Sequence, residues 1–328
     1  MHVTDEPAIR IEAVSKRYGD GTAAVHGLSL DVRRGELCVL VGPSGCGKTT
    51  TMKMINRLVE PTSGRVLLDG EDVADMDPVA LRRRVGYVIQ QVGLFPHQKV
   101  RDNVATVPRL LGWDAKRTNA RVDELLDLVG LAPGTYGDRY PSQLSGGQRQ
   151  RVGVARALAA DPLVLLMDEP FSAVDPLTRE RLQTEFLRVH SELGTTVVLV
   201  THDVNEAVRL GDRIAVLREG GHLEQYADPA TLLGSPATPF VAGFVGADRA
   251  VKRLAVTGID PSSLEDYDGP VAATLPADAD LGQALTLLLD TEQGRVAVVD
   301  GDGRRLGVLT PASLHAAVQL DRPVPVSS

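Results

Sequence analysis

The stretch Leu37-Cys-Val-Leu-Val-Gly-Pro-Ser-Gly-Cys-Gly-Lys-Thr49 decides the architecture. Its first five residues, Leu37–Val41, form a compact apolar run of strand length. Gly42–Gly47 is too rich in glycine for a regular element. Lys48–Leu58 then runs without a breaker, with Met52, Met54, Ile55 and Leu58 at helical spacing. Gly42, Pro43, Ser44, Gly45, Cys46, Gly47, Lys48 and Thr49 fit the pattern G-x-x-x-x-G-K-[ST]. Glycines let the backbone fold round a phosphate chain with several N–H groups pointing inward. The helix behind the loop adds its positive end. Lys48 is placed to supply a mobile cation to β- and γ-phosphates, and Thr49 a hydroxyl to Mg²⁺. A strand before the loop and a helix after it argue against a chance glycine turn.

Beyond the helix, Glu60–Gly64 reads as a turn, and Val66–Leu68 and Val85–Ile89 as strands. From about Val100 to Ala160 the pattern is helical, including Val122–Val129 and Gln148–Ala160. Strands return at Leu163–Met167, Thr196–Val200 and Arg213–Leu217, with helices at Leu177–Leu193 and Val204–Leu210 between them. Alternating strands and helices imply a mainly parallel sheet covered on both faces, with the helical stretch as an insertion. The pattern changes near Gly246: helix Leu281–Leu289, strand Arg295–Val299, turn Asp300–Gly303, strand Leu306–Leu309, helix Ala312–Leu320. We therefore expect two domains, 1–245 and 246–328, the smaller holding −5 of the net charge of −8. Its last residues, Pro323–Ser328, are expected to fray.

Composition narrows the function. With 35 Lys+Arg against 43 Asp+Glu, there is no basic footprint for nucleic acid. No apolar run approaches the roughly 18 residues needed to cross a bilayer. Met1–Arg10 lacks the apolar core of a secretory signal. Two cysteines, Cys38 and Cys46, make no disulfide framework and are too few for a zinc site, which points to a reduced compartment.

Two further segments carry chemistry. Leu163-Val-Leu-Leu-Met-Asp168-Glu169 is an apolar strand ending in two acids, which puts them at the carboxyl edge of a parallel sheet, where ligands bind. Asp168 suits Mg²⁺, and Glu169 can accept a proton from attacking water. Leu144-Ser145-Gly146-Gly147-Gln148 starts a helix and is a second anion-binding helix start. One ATP and one phosphate loop leave that second site without a ligand of its own.

The ATP-binding cassette (ABC) family explains it, and the chain resembles that family over roughly residues 8–245 in the order and spacing of several motifs. The resemblance implies an α/β P-loop NTPase (RecA-like) core with an antiparallel β subdomain and a helical insertion. ATP and Mg²⁺ are the cofactors it implies. Two cassettes pack head to tail as a homodimer, and Leu144–Gln148 of one closes over the ATP held by the other. Residue by residue, Gly42–Thr49 and Thr50 bind ATP, and Thr49, Gln90 and Asp168 hold Mg²⁺. Glu169, His202 and Gln90 are catalytic, with His202 matching the γ-phosphate switch and Gln90 the hinge that senses the membrane partner. Asp175 matches the loop crossing the dimer interface, and Tyr18 the aromatic that stacks on adenine. A tyrosine there is also common as half-buried packing, and Cys46 reads as tolerated filler rather than a redox switch.

Lacking a span, the chain needs a separate integral membrane permease subunit. Cassette ATPases acting on DNA or the ribosome normally carry a coiled coil or a second cassette, and this chain has neither. Met52–Arg57, Val85–His97 and Val107–Trp113 resemble the quaternary-amine importers of glycine betaine, carnitine and choline. Quaternary ammonium is held by an aromatic cage, and with one Trp the chain offers none. Recognition is then expected on an extracytoplasmic substrate-binding protein, with this chain peripheral on the cytoplasmic face of the cell membrane. Importers of amino acids, sulfonates or polyamines, or a non-transport ABC ATPase, are the alternatives. Val271–Leu320 resembles one cystathionine-β-synthase-type (CBS) motif, an α+β unit that in this group usually occurs twice and binds adenine nucleotides or senses ionic strength. Ser313 stands where ligand-binding copies have a ribose-contacting Asp, which favours a packing module.

Overall fold

The computed structural model describes residues 6–19, 21–90, 93–172 and 174–320. Gln91 and Val92, within the importer-like segment, and the end expected to fray lie outside the described residues. The chain divides into two compact units, 1–226 and 227–328.

The first unit contains strands β1 (Ile9–Arg17), β2 (Ala23–Val32), β3 (Leu37–Val41), β4 (Ser63–Leu68), β5 (Glu71–Asp72), β6 (Val85–Val88), β7 (Val164–Asp168), β8 (Thr196–Thr201), β9 (Arg213–Arg218) and β10 (His222–Ala227). Its helices are α1 (Lys48–Ile55), α2 (Pro78–Arg84), α3 (Val100–Val104), α4 (Thr106–Leu110), α5 (Ala115–Leu128), α6 (Pro133–Tyr136), α7 (Gly146–Leu158), α8 (Pro176–Leu193) and α9 (Val204–Leu210). The main sheet has the order β10-β9-β3-β8-β7-β6, and β9, β3, β8, β7 and β6 pair in parallel. A second sheet, β2-β1-β4-β5, is antiparallel. Helices α3 to α7 are inserted between β6 and β7. This is the expected P-loop core, antiparallel subdomain and helical insertion.

Every residue of β3 is buried, as its position inside a parallel sheet demands. Alternation on the main sheet sends Leu40, Leu166, Val198 and Ala215 toward one core, which they share with Met52, Met54 and Ile55 of α1 and Ile9, Ile11 and Val14 of the antiparallel sheet. Helix α1 is thus held by apolar side chains from both sheets, and the phosphate loop before it is anchored at its base.

Two details depart from the sequence reading. Helix α1 stops at Ile55 rather than Leu58, because Arg57 adopts a left-handed backbone (φ 46°). Strands β1 and β2 lack the steady alternation that marks a strand in sequence. In β1 the alternation Ile9, Ile11 slips to Val14 at a left-handed Ala13, where the register with β2 and β4 shifts. A bulge moves every later side chain to the other face, which erases the period-two signal. The two compact units divide between Tyr226 and Ala227. Helices α10 (Pro229–Gly234), α11 (Pro239–Val245) and α12 (Arg249–Leu254) belong to the second unit, where α10 packs on α12.

The rest of the second unit is a three-stranded sheet β11 (Ala273–Pro276), β12 (Val296–Val299) and β13 (Arg305–Leu309), with helices α13 (Leu281–Asp290) and α14 (Pro311–Leu320). Strands β11 and β12 are parallel, β12 and β13 antiparallel. Leu281, Ala284 and Leu288 of α13 meet Val296, Val298, Leu309 and Leu314 in a core of its own. No helix among the described residues is long and apolar enough to cross a membrane.

Candidate functional site

Parallel pairing brings the site together. Val41 is in register with Thr201, and Asp168 with Val200. Strands β3, β6, β7 and β8 therefore end at one edge of the sheet. Each is followed there by a motif residue, the edge at which open α/β sheets bind ligands.

The phosphate loop rises from β3 with Pro43, Ser44 and Gly45 exposed and Cys46, Gly47 and Lys48 buried. Glycine is required at its two ends: a Cβ on Gly42 would lie 2.2 Å from the Leu217 carbonyl oxygen, and one on Gly47 2.2 Å from that of Ala24. Gly47 has φ 100° and Gly45 φ 80°, and a Cβ on Gly45 would meet nothing within 4 Å. The Lys48 ammonium donates to the carbonyls of Gly42 at 2.7 Å and Pro43 at 2.8 Å, so it spans the loop. Cys46 is free and buried, with Sγ 3.6 Å from Lys48 Nζ. Thr50 lies half-buried in the first turn of α1.

Thr49 Oγ1 donates to Asp168 Oδ1 at 3.1 Å. Burial raises the Asp168 carboxyl above the ordinary aspartate value, Glu169 adding to this while Thr49, Lys53 and Lys48 oppose it. Two hard oxygens beside a phosphate loop fit Mg²⁺, which takes one or two protein oxygens and completes its shell with phosphate and water. A cation there also offsets the cost of keeping Asp168 charged while half-buried. Among the described residues no group of three or more His, Cys, Asp and Glu is placed to hold a metal without such help.

Glu169 adopts a left-handed backbone, φ 45°, costing on the order of 1–2 kcal/mol for a residue with a Cβ. Neighbouring bonds hold it there: the Glu169 N–H donates to the Val200 carbonyl at 2.9 Å, and Ser172 Oγ donates to the Glu169 carbonyl at 2.9 Å. Its carboxylate oxygens are divided between two residues. Gln90 Nε2 donates to Oε2 at 3.0 Å, and His202 Nδ1 lies 3.2 Å from Oε1. Residues from the ends of β6, β7 and β8 thus meet at one carboxylate. Beside them is a cavity of about 40 Å³ lined in part by Glu169, Ser172, Arg179, His202 and Glu206.

The structure does not join Leu144–Gln148 to that group. Ser145 caps α7 in a reciprocal box: Ser145 Oγ accepts from Gln148 N at 3.2 Å, and Ser145 N donates to Gln148 Oε1 at 2.9 Å. Leu144 is buried, Ser145 and Gly146 are exposed, and Gly147 approaches Thr178 of α8. Asp175 caps α8, accepting from Thr178 N at 3.0 Å, which holds its carboxyl below the usual range. Tyr18, past the end of β1, is 45% exposed, and Lys16 Nζ lies over its ring, 5.4 Å from the centre. In the second unit Ser313 is buried. Its hydroxyl accepts from Thr310 N at 2.7 Å, while Thr310 Oγ1 donates to Glu265 at 2.6 Å.

Arg179, Gln183 and Glu206 are site neighbours that the motifs did not flag. Gln183 Nε2 donates to Glu206 Oε1 at 3.0 Å inside the protein, and burial raises the Glu206 carboxyl. The available signal was polar residues recurring at helical spacing on α8 and α9 (Arg179, Gln183; Asp203, Glu206).

A phosphate loop, a strand ending in Asp-Glu, and a Gln and a His converging on that Glu define a P-loop ATPase of the cassette type. The ABC transporter family model matches residues 25–172, and the CBS domain model residues 265–319. The osmoprotectant import ATP-binding protein OsmV of Salmonella typhimurium is 49% identical over 91% of this chain and 78% of its own length. The glycine betaine/carnitine/choline transport ATP-binding protein OpuCA of Bacillus subtilis is 48% identical over 89% of this chain and 75% of its own. Among solved structures, a dimeric post-hydrolysis state of the ATP-binding cassette MJ0796, bound to ADP and Pi, superposes with TM-score 0.60. It is 34% identical and covers 67% of this chain and 98% of its own. The chain belongs to the ATP-binding proteins of the ABC transporter family, and it carries a CBS domain after the cassette.

Proposed function

We propose that the chain hydrolyses ATP to energise an importer of a quaternary-amine osmoprotectant, of the glycine betaine, carnitine or choline kind. The likeness to two import ATP-binding proteins for such solutes over about nine-tenths of the chain carries this reading. It acts as a homodimer, peripheral on the cytoplasmic face, beneath an integral membrane permease served by an extracytoplasmic substrate-binding protein. Residues 1–245 are read as the ATPase domain and 246–328 as an accessory domain, whereas the compact units divide before Ala227; truncation at each position decides between the two. The hydroxyl of Ser313 is already engaged by Thr310, which supports a packing role for the CBS unit.

In the mechanism, Tyr18 stacks on adenine, and the backbone N–H groups of Gly42–Thr50 with Lys48 cradle the phosphates. Thr49, Asp168 and Gln90 would hold Mg²⁺, which would supply charge neutralisation at the phosphate oxygens. Leu144–Gln148 of the second subunit covers the same ATP, with Asp175 at the dimer seam. Glu169 accepts the proton of the attacking water, and His202 donates toward the γ-phosphate. The Glu169 carboxylate accepts from Gln90 and lies against His202. As those two side chains turn to the nucleotide, an oxygen of Glu169 is released to act as base. Positioning and electrostatics do most of the work in such phosphoryl transfer.

Reconstitution with the co-encoded permease and binding protein tests the substrate. Glycine betaine, carnitine or choline should stimulate hydrolysis. Stimulation by an amino acid, sulfonate or polyamine instead would reassign the importer without altering the ATPase assignment.

A further inference from the structure

Helices α8 and α9 begin at two functional segments: α8 follows Asp175, and α9 follows His202. Polar side chains lace the two helices together along one face. Gln183 and Glu206 bond at 3.0 Å, Arg209 Nη2 donates to Thr184 Oγ1 at 2.9 Å, and Arg209 Nη1 lies 3.6 Å from Glu180 Oε1. The Gln183–Glu206 pair is buried, where exchanging partners is costly.

Arg179 stands at the end of this lacing nearest the site. Its Nη2 donates to the Val174 carbonyl at 3.3 Å, one residue ahead of Asp175, and its Nη1 lies 3.8 Å from Asp203 Oδ2, one residue after His202. Asp203 uses its other oxygen to cap α9, accepting from Asn205 N at 2.8 Å, so its carboxylate joins the helix start to the guanidinium. Arg179 also lines the cavity shared by Glu169 and His202.

We propose that Arg179 is a positioning residue that ties the Val174–Asp175 segment to the His202–Asp203 segment. A shift of the dimer-seam loop then reaches His202, and through it Glu169. A planar guanidinium suits this because its separate nitrogens can serve a carbonyl and a carboxylate at once. The inference rests on the roles proposed above for Glu169, His202 and Asp175.

The test uses the full-length purified chain with MgATP. Arg179→Ala should lower kcat about tenfold or more, with ATP affinity and melting temperature close to wild type. Asp203→Asn should do the same, and the double variant should fall no further than the worse single one. Arg179→Lys should recover part of the loss, since an ammonium can serve Asp203 but lacks the second arm. Where Arg179→Ala does not fold, Arg179→Lys and Asp203→Asn carry the test. Wild-type kcat in the alanine variant, additive losses, or a loss of kcat explained by weaker ATP binding or lowered stability would each overturn the coupling. Glu169→Gln is measured beside them. If it is inactive while Arg179→Ala turns over normally, the coupling alone fails. If it turns over normally, the catalytic reading fails and takes the coupling with it.

Discussion

The Thr49 hydroxyl donates to Asp168 Oδ1 across 3.1 Å, joining residues 119 apart in the chain. One follows β3 by way of the phosphate loop and the other ends β7, and β8 lies between those strands in the sheet. The contact therefore depends on strand order, and it places two hard oxygens beside the loop.

Asp168→Asn keeps an acceptor for Thr49 and removes the charge. The half-activating Mg²⁺ concentration for hydrolysis should rise about 10–100-fold, the usual effect of weakening a metal's surroundings. Burial already raises the Asp168 carboxyl, so folding stability should hold or improve. A Mg²⁺ titration of phosphate release, run with a melting curve, reads both. An unchanged titration would remove Asp168 from the metal site.

Glu169→Gln preserves the shape of the side chain but takes away its basicity. Hydrolysis should fall by about 10²–10⁴, the contribution typical of a general base. ATP binding should persist, and MgATP should trap a dimer. Near-normal turnover would mean that another group accepts the proton.

Ser145 is exposed, and its hydroxyl accepts from Gln148 N within its own helix start. Ser145→Arg chains mixed with Lys48→Ala chains should recover hydrolysis above either alone, because a mixed dimer holds one intact composite site. Absence of recovery, with mixed dimers demonstrated by size or cross-linking, would count against shared sites.

Burial holds the Glu206 carboxyl above the ordinary glutamate value. A raised folded-state value means the stabilising contribution is present at low pH and is lost as pH rises through that value. Glu206→Gln needs no ionisation and can still accept from Gln183. Denaturant titrations from about pH 4 to about pH 8 should show the variant gaining on wild type as pH rises. A gap independent of pH would show that Arg179 and Gln183 fully compensate the charge.

The second unit begins at Ala227, and α10 packs on α12 within it. A chain ending after Ala227 should remain a folded ATPase. One ending after Val245 removes α12 and leaves Leu232 and Leu233, both buried in the full chain, short of cover, so it should aggregate more. Light scattering and ATP turnover on the two truncations decide between this boundary and one after 245.

Local patterns carried much of the architecture. Leu37–Val41 followed by six loop residues and a helix is legible because a phosphate cradle needs glycine and a helix start at fixed offsets, whatever surrounds it. Leu163–Met167 reads as a buried strand for a similar reason: a parallel interior strand must be apolar along its whole length. Ser145 with Gln148 announces a helix start through its own side chains. Other features exist only after the sheet forms. Nothing adjacent to Gln90, Glu169 or His202 in the chain says that they converge; the parallel register of β6, β7 and β8 does so. The left-handed backbone of Glu169 is held by Val200 and Ser172, so no local propensity could have indicated it. Strand β1 was masked by its own bulge, and the α8–α9 lacing by the way ordinary polar helix residues look until two helices face each other. Sequence determines elements whose energetics are local. Contacts between strand ends and helix faces are decided by packing, which distributes one buried partner among many segments at once.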